Sequence, residues 1–134
     1  MPNKTATTIT ASGRRKTATA RVRLIPSKNG EVSVNNQPLE KYFPDPLAQF
    51  RWSELFRATN TTGNFAVSVK VSGSGRQGQL GASILALARA LAKFDEKFKP
   101  LLRKKGFLTR DPRARQRERF GLMGARKEKQ SPKR

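Results

Sequence analysis

Residues 103–134 hold thirteen Lys and Arg residues against three acids, Asp111, Glu118 and Glu128. That stretch carries about half of the formal charge of +20, and it limits what the chain can fold into. Its apolar residues are few (Phe107, Leu108, Phe120, Leu122 and Met123) and do not recur at helical or strand spacing. A segment so composed buries too little apolar surface to offset the entropy of ordering it, so it does not fold alone. A polyanion reverses the balance, because each neutralised phosphate releases condensed counterions. The density of cations and the interspersed glycines point to a surface that follows nucleic acid closely.

Core-forming material lies upstream. The 134 residues support one domain, divided here into a flexible N-terminus (1–11), a globular part (12–102) and an extended basic tail (103–134). The N-terminus is polar and lacks the apolar core of a signal peptide. No apolar run approaches the length that spans a bilayer; the longest, 80–92, is broken by Arg89. With no Cys and no His, disulfides, Cys/His zinc sites and nucleophiles that rely on Cys or a His base are excluded. Of the nine acids only Asp95 and Glu96 are adjacent, so neither a metal site nor a general-acid pair is expected. The expectation is a non-enzymatic protein without cofactor, with nucleic acid rather than membrane as its partner.

Residues 12–16, Ser-Gly-Arg-Arg-Lys, read as a charged turn leading into a strand. Ala18, Ala20, Val22 and Leu24 fall on one face of that strand, and Thr19, Arg21, Arg23 and Ile25 on the other. Arg14, Arg15, Lys16, Arg21 and Arg23 thereby form a candidate RNA-facing patch. Pro26, Asn29 and Gly30 supply a turn into residues 31–34, which suggests a hairpin. A short helix over 37–43 opens on Pro38 and ends at Tyr42 and Phe43. A second helix over 47–56 carries a stripe of Leu47, Phe50, Leu55 and Phe56, with Trp52 off it. Residues 65–71 make the clearest strand, Phe65, Val67, Val69 and Val71 alternating with Ala66, Ser68 and Lys70. The clearest helix follows, with Leu80, Ile84, Leu87, Ala88, Leu91 and Phe94 facing the core and Ser83 and Arg89 away from it. The fold class is α/β in the α+β sense: a small two-layer domain of a mixed sheet with helices on one face.

The loop joining that strand and helix, Gly73-Ser74-Gly75-Arg76-Gln77-Gly78, matches the dinucleotide fingerprint letter for letter. In a dinucleotide site, however, the acid some twenty residues on ends the next parallel strand. Here Asp95 and Glu96 fall at the end of the helix itself, and no strand pattern follows. Glycine-exposed N–H groups at a helix N-terminus still suit a phosphate, and Arg76, Gln77 and Gln79 can add donors. Further on, Asp111 and Pro112 read as the cap and first position of a helix. Arg113, Arg115, Arg117 and Arg119 surround that helix evenly, which requires an external partner.

These blocks together resemble the ninth protein of the small ribosomal subunit, in its bacterial or organellar form. The resemblance covers residues 13–134. Gly13-Arg14-Arg15-Lys16-Thr17-Ala18 with Ala20-Arg21-Val22-Arg23 is similar to the family's opening block. Tyr42-Phe43, the loop from Gly73 to Gln79, Leu108-Thr109-Arg110-Asp111-Pro112-Arg113 and the Gln130-Ser131-Pro132-Lys133-Arg134 terminus match further blocks in order. The resemblance implies a domain on the head of the small subunit, beside neighbouring head proteins, with a tail threading through ribosomal RNA. It adds Lys104, Lys105, Arg110, Arg126 and Lys127 to the cations named above as RNA contacts. It also implies that Lys133 and Arg134 approach the anticodon stem-loop of the peptidyl-site tRNA. The family's ending places an aromatic between Gln and Ser, whereas Gln130 is followed directly by Ser131, so only the charge contact carries over. The implied location is the small ribosomal subunit, cytoplasmic or in an organelle. A free-standing nucleic-acid binder and a nucleotide-using enzyme built on the glycine loop are the competing readings.

Overall fold

The elements run β1 (Ile9–Arg15), β2 (Ala18–Pro26), β3 (Val32–Val34), β4 (Gln37–Pro38), α1 (Leu39–Tyr42), α2 (Pro46–Ala58), β5 (Phe65–Ser72), α3 (Arg76–Phe94) and α4 (Phe98–Lys104). The structure is a computed structural model and describes residues 7–133. Residues 1–6 and Arg134 lie outside the described residues. The first strand starts at Ile9, within the span expected to be a flexible N-terminus. It continues through Arg15, so the expected turn at 12–16 narrows to Lys16 and Thr17, with Lys16 in the left-handed region (φ 52°).

One mixed sheet has the strand order β1-β2-β5-β3-β4. β2 and β5 are its longest strands because both alternate apolar and polar residues without interruption, and they pair antiparallel with Val22 opposite Val69. The expected hairpin between β2 and β3 does not form. β3 instead pairs parallel with β5, Val34 opposite Val69, on the side of β5 away from β2. A tight β3–β4 turn at Asn35 and Asn36, both at positive φ (49° and 63°), sends the chain away through α1 and α2 before it returns as β5. Asn35 also extends the ladder with its side chain: its amide donates to the Val71 carbonyl (3.1 Å) and accepts from the Val71 N–H (2.9 Å).

Every core-facing strand residue lies on one face of the sheet. Ala18, Ala20, Val22 and Leu24 of β2 and Phe65, Val67, Val69 and Val71 of β5 are buried against the helical layer. α3 lies across β1 and β2 and is almost wholly buried from Ala82 to Ala88. Gly13 permits that approach. A Cβ there would lie 2.6 Å from the Ala86 nitrogen and would overlap the Ala82 carbonyl oxygen. Ser83, expected to face away, is buried and returns its hydroxyl to the Gln79 carbonyl (2.7 Å).

α2 is capped by Asp45, whose carboxylate accepts from the Leu47 N–H (3.1 Å), with Pro46 at the first helical position. Its buried stripe is Ala48, Trp52 and Leu55, at i, i+4, i+7 spacing. The expected stripe is therefore rotated: Leu47 and Phe50 are exposed, while Trp52 is in the core. α4 buries Leu102, and Phe107 and Leu108 beyond it still pack on the core, past the expected boundary at 102.

The sheet's outer edges are short or occupied. At the free edge of β1, Lys93 Nζ donates to the Thr10 carbonyl (3.0 Å) and Arg89 Nη1 to that of Ser12 (2.8 Å). At the other edge, β4 is two residues long and ends in Pro38. Among the described residues no helix is long and apolar enough to cross a membrane, and no group of His, Cys, Asp or Glu could hold a metal ion.

Candidate nucleic-acid interface

The face of the sheet opposite the helices is uncovered, and strand alternation decides which side chains stand on it. Arg14 of β1, Arg21 and Arg23 of β2 and Lys70 of β5 all project there and are exposed. Hydroxyls of Thr10, Ser12, Thr19, Ser68 and Ser72 fill the positions between them. Arg21 stands directly opposite Lys70 in the register, and Ser12 flanks Arg21 from the other side. Like charges directly opposite one another destabilise a strand pair. Among the described residues no carboxylate lies within 4.0 Å of Arg14, Arg21, Arg23 or Lys70. Arg14, Arg21 and Lys70, with Asn35 and Asn36, line a cleft of about 650 Å³. The arrangement stores repulsion that an incoming anion relieves.

Arg15 stands on the opposite face of β1 from Arg14, although sequence reasoning groups them, and Arg14 reaches round the strand end to line clefts on both sides. Adjacent strand residues point to opposite faces, and Arg15 turns toward α3, where it lies across Gly81. A Cβ on Gly81 would overlap Arg15 Cδ and stand 2.9 Å from Nη1. Arg15 reaches Asp111 at 3.4 Å. With Arg51, Glu54, Lys105 and Arg113 these two residues line a second cleft of about 310 Å³. Lys105 pairs with Glu54 at 3.7 Å, half-exposed, which contributes little to stability. Lys104 is exposed at the end of α4, and Lys16 at the tip of the β1–β2 turn.

At the start of α3, Gly73 (φ 76°) and Ser74 (φ 51°) turn the chain in the left-handed region before Gly75 caps the helix without a side-chain bond. Arg76 and Gln77 are exposed there. Gln79 is not free in the same way: its amide donates to the Gly73 carbonyl (3.1 Å) and accepts from Tyr42 Oη (2.8 Å). Tyr42 Oη in turn accepts from Asn35 Nδ2 (3.2 Å), which ties the glycine loop to the β3–β4 turn. Asp95 caps the end of α3, and no strand follows among the described residues. The G-x-G-x-x-G segment therefore lacks the second strand that a dinucleotide fold uses.

Asp111 organises the root of the tail, but no helix begins there, contrary to the cap signal. Its Oδ1 accepts the Arg113 N–H (3.0 Å), the first bond of a cap, and the chain then runs on without regular structure through Arg119. With Arg on every side, no apolar stripe exists to hold a helix against the domain. The Arg113 guanidinium forks onto the same carboxylate, Nε at 3.0 Å from both oxygens and Nη2 at 2.7 Å from Oδ2. That side-chain bond, then the Arg113 N–H, then the charges of Arg113 and Arg15, hold the Asp111 carboxyl far below the usual carboxylate range. The same contact raises the Arg113 guanidinium above its ordinary value.

Arg110, Arg113, Arg115, Arg117, Arg119, Arg126, Lys127 and Lys133 are all exposed along the tail. Sequence reasoning left Lys70 out of the patch, although its alternation with the valines of β5 marks it. It also missed Arg51, whose placement depends on the rotation of α2, which the pattern misassigns.

Comparison with known proteins fits this geometry. A family model described as "Ribosomal protein S9/S16" matches residues 13–134. The chain is also similar to the small ribosomal subunit protein uS9 of Methylacidiphilum infernorum (isolate V4). The two are 46% identical over 126 residues, which span 94% of this chain and 92% of that protein.

Proposed function

The chain belongs to the ribosomal protein S9/S16 family, and from that premise we propose how its surfaces serve the ribosome. It is a structural constituent of the small ribosomal subunit, part of a ribonucleoprotein that acts in translation in a cytoplasm or an organelle. The domain binds small-subunit ribosomal RNA in the head of the subunit, next to neighbouring head proteins. Its contribution is electrostatic and architectural: phosphates are neutralised and an RNA fold is held in place. No cofactor or small-molecule substrate enters that role.

The observation that carries this reading is the open sheet face, where Arg21 faces Lys70 with no carboxylate in reach among the described residues. Such a pair is unfavourable alone and favourable once a phosphate lies between its members. The α3 N-terminus, with Arg76 and Gln77, offers a second phosphate position. The tail continues the same chemistry along RNA segments that pack around it, and Lys104, Lys105 and Arg15 extend it at the root. Lys133, and Arg134 beyond the described residues, reach the anticodon stem-loop of the peptidyl-site tRNA.

The test uses small subunits carrying the full chain or a chain ending at Pro132. Removing Lys133 and Arg134 deletes two phosphate contacts among many, so assembly proceeds while tRNA retention in the peptidyl site weakens. Filter binding across several salt concentrations measures this, and unchanged retention refutes the tRNA contact. A chain that leaves the particles on washing at high salt refutes the structural role.

A further inference from the structure

Beyond Arg119 the tail makes a compact loop in which Phe120 and Met123 face water while Leu122 is half-buried. The Leu122 N–H donates to the Arg119 carbonyl (3.1 Å), and Gly121 sits at φ 80° in the third position of that turn. This is the geometry of a type II turn, which puts Phe120 at its exposed corner. Two further backbone bonds close the loop, Met123 N–H to Lys127 (2.7 Å) and Arg119 N–H to Gly124 (3.4 Å). Phe120 is as exposed as a side chain can be, at 106% of its reference area, and Met123 is 61% exposed. Between residues 113 and 127 six cations accompany Phe120 against one acid, Glu118.

We propose that this turn is a stacking platform for an unpaired RNA base, with the ring of Phe120 as the contact and its flanking arginines on the adjoining phosphates. The inference rests on the ribosomal RNA reading above and gives one tail residue a role that charge alone does not supply. A fully hydrated aromatic ring favours a partner that removes it from water. The neighbouring charge selects among partners: protein interface cores are depleted of charge, whereas single-stranded nucleic acid pairs a cationic track with aromatic platforms. The turn matters because its backbone bonds hold the ring outward before any partner arrives, which lowers the ordering cost of contact.

The experiment measures binding of the full chain to two probes, a twelve-nucleotide oligoadenylate and an abasic ribose-phosphate strand of equal length. Phe120→Ala should weaken oligoadenylate binding by roughly 5- to 150-fold, the range for losing a base–aromatic stack, and leave the abasic strand within about twofold. Phe120→Trp should restore binding, and Phe120→Leu, which keeps apolar area without a ring, should not. The slope of affinity against salt should be the same for Phe120→Ala as for the unaltered chain, since no phosphate contact is removed. Equal losses on both probes, or full rescue by Phe120→Leu, overturn the proposal. So does oligoadenylate binding that ignores Phe120 while incorporation into small-subunit particles falls, because a protein pocket then holds the ring. Failure of the unaltered chain to bind either probe at low salt would overturn the RNA reading itself.

Discussion

Replacing Gly13 by Ala isolates the contact on which the two layers depend. Gly13 has an ordinary backbone conformation, so Ala imposes no torsional penalty and the effect is steric. The new methyl would lie 2.6 Å from the Ala86 nitrogen and would overlap the Ala82 carbonyl. Both obstacles are helix backbone and cannot escape by changing rotamer, so strand and helix must move apart. Overpacking of this kind costs about 1–3 kcal/mol, and the upper end applies when backbone must shift. Against that, exchanging Gly for Ala restricts the unfolded chain and returns about 0.4–1 kcal/mol. The net loss is about 2 kcal/mol or more, which for a folded part of this size lowers the melting temperature by roughly 8–15 °C. Thermal unfolding followed by circular dichroism, in salt sufficient to screen self-repulsion, measures it. Gly75→Ala is the matched control. Nothing lies within 4 Å of a Cβ there, and the loss of a glycine cap is offset by the unfolded-state gain, so its change should stay within about 0.5 kcal/mol. A Gly13→Ala protein that melts within 2 °C of the unaltered chain, or no lower than the control, refutes the close-approach argument.

Lys70→Thr should act in opposite directions on two measurements. It relieves the repulsion with Arg21 and should stabilise the free protein by about 0.2–1 kcal/mol in urea titrations, while lowering the salt slope of RNA binding by about 0.7–0.9; a loss of stability would contradict the like-charge pairing. Asn35→Ala removes both bonds to Val71 and leaves at φ 49° a residue that tolerates the left-handed region less well than Asn, so a loss of about 2–3 kcal/mol is expected in the same titrations. Asp111 titrates below its ordinary value, so its anchoring of the tail is complete above about pH 4 and is lost as pH falls through the depressed folded value. Carboxyl chemical shifts should therefore show Asp111 protonating well below pH 3.9, and an ordinary midpoint would refute the Arg113 fork.

Strongly periodic segments were legible from residues alone. β5, the two faces of β2 and most of the α3 stripe follow from alternation and from the i, i+4, i+7 spacing, because local geometry determines which side chains share a face. The exceptions on α3 are Ser83, expected outward but buried, and Phe94, expected inward but 45% exposed. Pairing was not legible: β2 and β3 are neighbours in sequence, yet both lie against β5, since partner choice is set by distant packing. α2 was turned the wrong way because Leu47 and Phe50 are as apolar as Ala48 and Leu55, and only the facing α3 decides between the stripes. At Asp111 the capping signal was real but insufficient. The bond to the Arg113 N–H forms, and the continuation fails for want of anything to pack against. Of the candidate interface, the cations of β2 were recognisable on their strand, while the division of Arg14 from Arg15 required knowing that β1 is a strand through Arg15.

A growing sheet needs a row of vacant peptide groups, and this one has little to offer. Lys93 and Arg89 act as bolts across one margin, and a proline ends the other after two residues. Newly made copies therefore meet one another, before any particle takes them up, without a strand that invites addition. Its partners are therefore met chiefly by side chains, by the amide groups that open α3 and by the trailing segment, with strand addition hindered at both margins.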